Sequence, residues 1–189
     1  MTTSMQHHEA SPGPGTDGTV PSASPGGPPA GGSGPTTEQV WGALAKTTFA
    51  VLGFATPGGD PRSSGVVYTT VGHRLFVAVA PDSWKARYLA ASGRVAVVVP
   101  VRRGGLLSLA FPIPPATVSF HGAAIVHPAG SSELRPLLDQ LASLLPPERR
   151  ASSVIVEIVP EGEFLTYGLG VSLRAMRTPA TARGRAPVS

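Results

Sequence analysis

The sequence contains no cysteine, and this absence removes several classes of chemistry at once. Without thiols the chain forms no disulfide bond, has no cysteine nucleophile and offers no thiolate ligand to a metal ion. A chain without disulfides is compatible with a reducing compartment, and we expect a cytoplasmic location. No apolar stretch approaches the roughly 20 residues that a membrane-spanning helix needs, so we expect no membrane partner.

Lysine is nearly as scarce, since Lys46 and Lys85 are the only two and arginine supplies the other positive side chains. The net charge is +4 and the pI is about 10.1, but the basic residues are scattered along the chain. No run of basic residues interleaved with aromatics indicates a nucleic-acid interface, so we expect no nucleic-acid partner. Because lysine is so rare here, a retained lysine is more informative than usual.

Residues 1–36 lack lysine and arginine altogether and contain fifteen glycines and prolines. A secretory signal needs basic residues followed by an apolar segment, and a transit peptide needs arginines, so this segment fits neither. It also has too few apolar side chains to offset the entropy lost on ordering. We therefore predict a disordered arm over 1–36, one globular domain over 37–177 and a flexible tail over 178–189.

Three segments have the pattern of helices. The sequence TTEQ at 36–39 matches a capping box, which predicts a helix of about ten residues. A second helix is predicted over 83–91, with Asp82 or Ser83 as its N-cap. A third, over 131–145, carries a stripe of leucines that we expect to cover the core or to join a dimer surface.

Six apolar segments bounded by turn residues are typical of strands. Residues 94–101, RVAVVVPV, are too uniformly apolar for a half-exposed strand, so we expect a buried central strand there. Residues 102–114 are rich in glycine and proline and are expected to form a mobile loop, and an irregular extended segment is expected from residue 164. In chain order the predicted strands cover 47–56, 62–70, 74–80, 94–101, 115–127 and 153–161.

The connections between these strands indicate the fold class. A short turn, Val71-Gly72-His73, joins the second and third strands, and strands joined by hairpins pair antiparallel. A parallel sheet would need a helical crossover after nearly every strand, and too few helices are predicted for that. We therefore predict a mainly β fold, a closed or partly open antiparallel β-barrel with a few helices.

Polar residues concentrate at two places in this barrel. Arg62, Ser63 and Ser64 begin the second strand, and Asp82, Ser83 and Lys85 lie at the start of the second helix. A helix N-terminus presents unpaired N–H groups and a partial positive charge, which suit a phosphate. We therefore predict a phosphorylated ligand at this place. Ser83 is equally well explained as an N-cap, and the two cations as solvated surface charges.

Three segments resemble the flavin-binding split-barrel family typified by pyridoxamine 5'-phosphate oxidase: PRSSGVVYTTVGHRLFVAV, DSWKARYLAASGRVAVVV and PPATVSFHGAAIV. The resemblance covers about residues 38–160, and the C-terminal sequence is similar to that of uncharacterised actinobacterial-type members. It implies an antiparallel Greek-key split barrel of the FMN-binding type. It also implies a homodimer with FMN between the subunits, acting as an oxidoreductase on a small unknown substrate.

The resemblance also assigns residues to the cofactor. Trp84 stands at the position where the pyridoxamine 5'-phosphate oxidases have an arginine. Arg62 falls within one position of the arginine that binds the phosphate in this family. The family's C-terminal substrate-binding signature is absent, so pyridoxamine phosphate oxidation is not implied. The cofactor-binding residues implied by the resemblance are Arg62, Ser63, Ser64, Val66, Ser83, Trp84 and Lys85.

No catalytic residue is assigned, because a flavin exchanges hydride at its own N5 atom. We expect the 102–114 loop and residues 164–177 to shape a substrate pocket. Two alternatives stay open: a deazaflavin cofactor, whose tail also carries a phosphate, and a non-catalytic carrier or sensor of flavin or haem. The axial ligand of a haem would have to be His73, His121 or His127.

Two of these histidines, His121 and His127, are six residues apart on one predicted strand. At the rise of a strand they are about 20 Å apart. They therefore cannot bind one metal ion together, and we predict no metal site.

Overall fold

Seven strands and four helices make up the part of the chain that the computed structural model describes, residues 34–103, 114–145 and 153–189. These residues all belong to one compact unit, Gly31–Ser189. The strands are β1 Phe49–Ala55, β2 Pro61–Val71, β3 Arg74–Val79, β4 Arg94–Val101, β5 Ala116–His127, β6 Val154–Tyr167 and β7 Arg183–Pro187. The helices are α1 Thr37–Leu44, α2 Trp84–Ser92, α3 Arg135–Ala142 and α4 Pro179–Ala182, with short 3-10 turns at Ser132–Leu134 and Ala175–Arg177.

The first six strands close into an antiparallel barrel. Their order is β3-β2-β1-β4-β5-β6, and β3 pairs with β6 to complete the circle. β4 lies beside β1 after the β1–β2–β3 meander, which is the Greek-key order. Gly72 and His73 form the β2–β3 turn with φ values of 55° and 60°, as a two-residue type I′ turn requires. The predicted mainly β, Greek-key barrel is confirmed.

The sixth strand is longer than the sequence predicted. The first half of β6 lies between β3 and β5, and its second half lies between β5 and β7. The register with β5 shifts between Ser119 and His121, opposite Gly162, whose φ is 72°. Such a bulge bends a strand, and here it lets β6 close the barrel and continue past it. The expected irregular segment therefore begins only after Tyr167.

The C-terminal segment is ordered as a strand, which corrects the prediction of a flexible tail over 178–189. β7 pairs with the second half of β6. Ala182 and Ala186 are each 2% exposed, and the indole N–H of Trp41 donates to the carbonyl oxygen of Val188 at 3.3 Å. Backbone pairing with an open strand edge needs no apolar alternation, so the sequence pattern did not indicate this strand.

Helix α1 begins at the predicted capping box. The hydroxyl of Thr36 accepts from the N–H of Gln39 at 3.2 Å, and the Gln39 side chain accepts from the N–H of Thr36 at 3.0 Å. The Trp41 ring also stacks on His73 with centroids 4.9 Å apart, so α1 covers the end of the barrel where the β2–β3 turn lies. Its buried face consists of Val40, Trp41 and Leu44.

The leucine stripe of α3 covers the outside of the barrel, which confirms one of its two predicted roles. Leu141 is fully buried against Phe76 of β3 and Ile155 of β6. The leucines that pack around this contact are Leu134, Leu137, Leu138 and Leu145. Within the described ranges, no helix has the length and apolarity required to cross a membrane.

Strand β4 is not buried on both sides, which corrects another prediction. Val97 and Val99 face the core and are fully buried, whereas Val98 faces outward and is 41% exposed. Each strand of a closed barrel has one inner and one outer side, so a uniformly apolar strand leaves apolar groups outside. The outward-facing residues of neighbouring strands that lie in register with Ala96 and Val98 are Val51 and Gly53 of β1 and Ser119 and His121 of β5. We define the outer sheet face as Phe49, Val51, Gly53, Ala96, Val98 and Ser119.

Candidate functional site

The first turn of α2 is organised by Ser83, which is the N-cap residue. Its hydroxyl accepts from the N–H of Ala86 at 3.2 Å and donates to the carbonyl of Ala80 at 2.6 Å. The helix ends at Gly93, whose φ of 62° suits a glycine C-cap. The predicted helix is therefore confirmed, with Ser83 rather than Asp82 as its N-cap. Its hydroxyl proton is already used within the protein.

Donors for an anion nevertheless remain at this turn. In the described part of the chain, the backbone N–H groups of Trp84 and Lys85 have no hydrogen-bond acceptor. The Lys85 ammonium group likewise forms no ion pair with any described residue. A nine-residue helix with unpaired N–H groups and a cation in its first turn has the chemistry of a phosphate site.

An aromatic cluster joins this turn to the start of β2. The Trp84 ring lies 5.4 Å from that of Phe54 and 5.9 Å from that of Tyr88, measured between centroids. Phe54 is the cross-strand partner of Arg62, and directly opposed side chains have Cβ atoms about 5 Å apart. Arg62 thus stands close to the start of α2. Sequence reasoning missed Phe54 and Tyr88, although Tyr88 follows Trp84 at helical spacing.

The β2 residues divide between two sides of the sheet. Ser64 and Val66 share the side of Arg62, and Val66 is 7% exposed within the core, so it offers a ligand only backbone groups. Ser63 lies on the opposite side, next to Gly53 of the outer sheet face. The side chains of Arg62 and Ser64 therefore lie on the same side of the sheet, and the side chain of Ser63 lies on the other side.

Three solved structures are similar to the chain. A haem-binding protein from Mycobacterium smegmatis aligns with 80% of this chain at a TM-score of 0.60 and 17% identity, and the chain spans 57% of its length. An FAD-binding protein from Mesorhizobium loti aligns with 66% of this chain and 87% of its own length, at a TM-score of 0.52 and 19% identity. A Listeria innocua protein, provisionally named a pyridoxamine 5'-phosphate oxidase, aligns with 66% of this chain and 93% of its own, at a TM-score of 0.50 and 18% identity. No family model and no curated protein matches the sequence.

The chain has the split-barrel fold of the pyridoxamine 5'-phosphate oxidase-like proteins. Its neighbours on this fold include flavin-binding and haem-binding proteins. At identities below 20% the likeness concerns the fold, and the function has to be argued from the site.

The ordered histidines of the split barrel differ in their surroundings. His73 is stacked on Trp41, and Nε2 of His127 lies 2.8 Å from the Glu157 carboxylate. His121 is exposed on β5 and has neither an ion pair nor a hydrogen bond to the described residues. Among those residues, no three potential metal ligands come together.

Glu157 forms a charge cluster with Arg74 and His127. It is 6% exposed, and Arg74 donates to its second carboxylate oxygen at 2.5 Å. Burial raises the pKa of Glu157, but the hydrogen bonds to His127 and Arg74 outweigh burial and hold the pKa below its ordinary value. Arg74 follows the β2–β3 turn, so this cluster lies at the end of β2 opposite Arg62.

Two segments were expected to shape a substrate pocket. Most of the 102–114 loop lies outside the described residues. Of residues 164–177, the first four belong to β6, and Phe164 is fully buried in the core. Arg103 donates to the carbonyl of Val171 and contacts the sulfur of Met176, which ties the chain after β4 to the segment after β6.

Proposed function

We propose that the chain is an FMN-dependent oxidoreductase that acts as a homodimer on a small substrate. The observation that carries the proposal is the first turn of α2, where Lys85 and two backbone N–H groups are unpaired in the described structure. This turn stands beside Arg62 in a fold whose neighbours include a protein named for FAD binding. A phosphorylated flavin matches the charge and the hydrogen-bonding capacity of this place.

The residues present fit an FMN phosphate. Lys85 and Arg62 supply the positive charges, and the N–H groups of Trp84 and Lys85 supply backbone donors. Ser83 contributes as the cap that fixes the direction of these N–H groups. The aromatic cluster of Phe54, Trp84 and Tyr88 holds the turn against the barrel.

When bound, a flavin supplies hydride transfer at its own N5 atom. The protein then has to bind, orient and shield the cofactor rather than provide an acid or base. Such a protein needs no free acid or base. The buried carboxylate of Glu157 agrees with this, because it is already paired with Arg74 and His127.

The outer sheet face supports a homodimer. Phe49 and Val98 are 47% and 41% exposed, and the residues between them are small or apolar. An apolar surface of this kind, formed by adjacent strands, is typical of a subunit contact. Ser63 is the cross-strand partner of Gly53, so the start of β2 borders this face.

The experiment that tests the proposal is FMN binding to the purified full chain. We expect flavin bands to remain in the visible spectrum after incubation with FMN and desalting. Loss of a charge-assisted contact costs about 1.5–3 kcal/mol, so Lys85→Ala should weaken FMN binding by about ten-fold or more. Arg135→Ala, on the exposed surface of α3, removes the same charge and should leave the affinity unchanged.

Unchanged affinity in Lys85→Ala would show that the phosphate is not bound at α2. If the wild type did not retain FMN but did retain a deazaflavin cofactor, the cofactor would be a deazaflavin whose phosphate binds at the same site. Turnover of reduced FMN with candidate acceptors would then separate an oxidoreductase from a carrier.

A second candidate function is haem binding without turnover. It is favoured by the M. smegmatis neighbour, which is named for haem binding, and by His121, whose imidazole has no partner among the described residues. Haem addition should then produce a Soret band that His121→Ala shifts or abolishes. A Soret band that is unchanged in this variant would exclude His121 as the axial ligand.

A further inference from the structure

A groove of about 560 Å³ runs along α1 and is distinct from the site at α2. Helix α1 covers the barrel end at the β2–β3 turn, whereas α2 begins beside Arg62 at the other end of β2. β2 is 11 residues long, which corresponds to about 35 Å between its ends. The groove has one wall on α1 and the other at the end of β4, at Val101 and Arg102.

The wall on α1 contains a glycine that neither packing nor backbone conformation requires. Gly42 lies inside the helix, its φ is not positive, and a Cβ atom built on it would meet no other atom within 4 Å. A glycine inside a helix costs about 1 kcal/mol relative to alanine. Because Gly42 has no side chain, the groove wall is open at this position, next to Ala43.

The groove is also bordered by two cations that the described structure leaves unpaired. Lys46 follows α1, Arg102 follows β4, and neither forms an ion pair with a described residue. The same groove is lined by the small or apolar Gly42, Ala43 and Val101. The combination of an apolar wall with free positive charge is complementary to an anion that has an apolar body.

Among the described residues that line the groove, one carboxylate is present, that of Glu38. Glu38 is eight residues before Lys46, which corresponds to about 12 Å along a helix. Hydrogen bonds from its own backbone N–H and from the Thr36 side chain lower the pKa of Glu38. Its negative charge therefore lies at the N-terminus of α1, whereas Lys46 follows the C-terminus of this helix.

We propose that this groove is a binding site for a small organic anion, a carboxylate or phosphate ester with an apolar body. Lys46 and Arg102 bind the anionic group, and Gly42, Ala43 and Val101 contact the body. The site is independent of the proposed flavin site, and its ligand is a second small molecule.

The test uses the isotope-labelled full chain and 2-naphthoate as the probe. We expect saturable shifts of the Ala43 and Val101 amide signals, and weaker shifts with the neutral 2-naphthamide. Lys46→Met and Arg102→Gln should each weaken binding by about five-fold or more, since each removes a charge-assisted contact. Gly42→Leu should abolish binding, because its side chain fills the groove. Arg135→Gln, which makes the same charge change on α3, should bind as the wild type does.

The proposal is wrong if the wild type shows no saturable shift at α1, or if all three groove variants bind 2-naphthoate as the wild type does. It is also wrong if Gly42→Leu alters the molar mass of the protein, because the groove would then be a contact between subunits. If Gly42→Leu does not fold, the affinities of Lys46→Met and Arg102→Gln for 2-naphthoate decide whether the proposal holds. FMN affinity, measured on the same variants, should be unchanged, so failure here and failure of the proposed function are separable.

Discussion

At the scale of single residues, two glycines have opposite consequences for stability. A Cβ on Gly122 of β5 would lie 2.3 Å from the carbonyl oxygen of Val159 in β6, and a Cβ on Gly42 would meet nothing. Gly122→Ala should therefore lower the unfolding free energy by about 1–3 kcal/mol, as overpacking does. Gly42→Ala should raise it by about 0.5–1 kcal/mol through helix propensity. Urea unfolding of both variants checks the two signs, and a Gly122→Ala protein as stable as wild type would contradict the close approach of β6.

Glu157 makes the stability of the barrel depend on pH. Its folded pKa lies below the ordinary value of 4.5, so its stabilising contribution is present above that pH and is lost as the pH falls through the folded pKa. At about pH 7, Glu157→Gln should cost about 1–3 kcal/mol, because two hydrogen bonds to a charged acceptor are weakened. At low pH, once the pH has fallen through the folded pKa and wild-type Glu157 is protonated, the gap between variant and wild type should close.

The matched control for this prediction is Glu161→Gln. Glu161 pairs with Arg94 at 2.9 Å, but its side chain is 38% exposed and that of Arg94 is 67% exposed. Exposed ion pairs contribute about 0–1 kcal/mol, so this variant should differ little from wild type at either pH. A stability gap for Glu157→Gln that did not change with pH would mean that its carboxylate charge is not what stabilises the fold.

Residue patterns predicted the parts of the candidate site that are local in sequence. The N-cap at Ser83, the cation at Lys85 and the arginine at the start of β2 all follow from short motifs, and the structure confirms the cap. Phe54 comes from β1, and nothing near it in sequence connects it with α2. Contacts between distant elements depend on barrel closure, which a local pattern does not contain.

At the scale of elements, the strands were easier to predict than their burial. The apolar run of β4 was interpreted as two-sided burial, but a barrel strand has an outer side, and in β4 that side is also apolar. The second half of β6 and all of β7 were missed because they are short extensions rich in polar residues. These segments are held in place by the backbone pairing of β6 with β7 and by hydrogen bonds from α1.

The pairing of β7 yields a prediction for this element. Ala186 is 2% exposed, so Ala186→Asp buries an unpaired charge and should detach β7 at a cost of about 3 kcal/mol or more. Because Trp41 donates to Val188 beside it, the tryptophan fluorescence should change as well. Thermal unfolding checks the loss, and Ser189→Asp, which adds the same charge beyond the strand, should leave both readouts unchanged. An ordinary melting temperature for Ala186→Asp would show that β7 does not support the barrel.

At the scale of the whole molecule, the distribution of apolar surface favours a pair of chains. The core side of the barrel is filled by its inner residues and by α1, and α3 covers the strands around Phe76. The outer sheet face has no such cover among the described residues, although it carries Phe49 and Val98. A second copy of the chain would remove this surface from water without any further element.

This reasoning predicts the effect of a single charge on assembly. We expect light scattering to give the wild type twice the chain mass of 19.3 kDa, and Val98→Lys to give the mass of one chain, because the lysine would bring a charge into the centre of an apolar contact. Leu173→Lys is the control, since Leu173 is 48% exposed but lies outside the sheet. If FMN is held near this face, Val98→Lys should also weaken FMN binding, whereas Leu173→Lys should not. A Val98→Lys protein that remained a dimer would place the subunit contact elsewhere on the barrel.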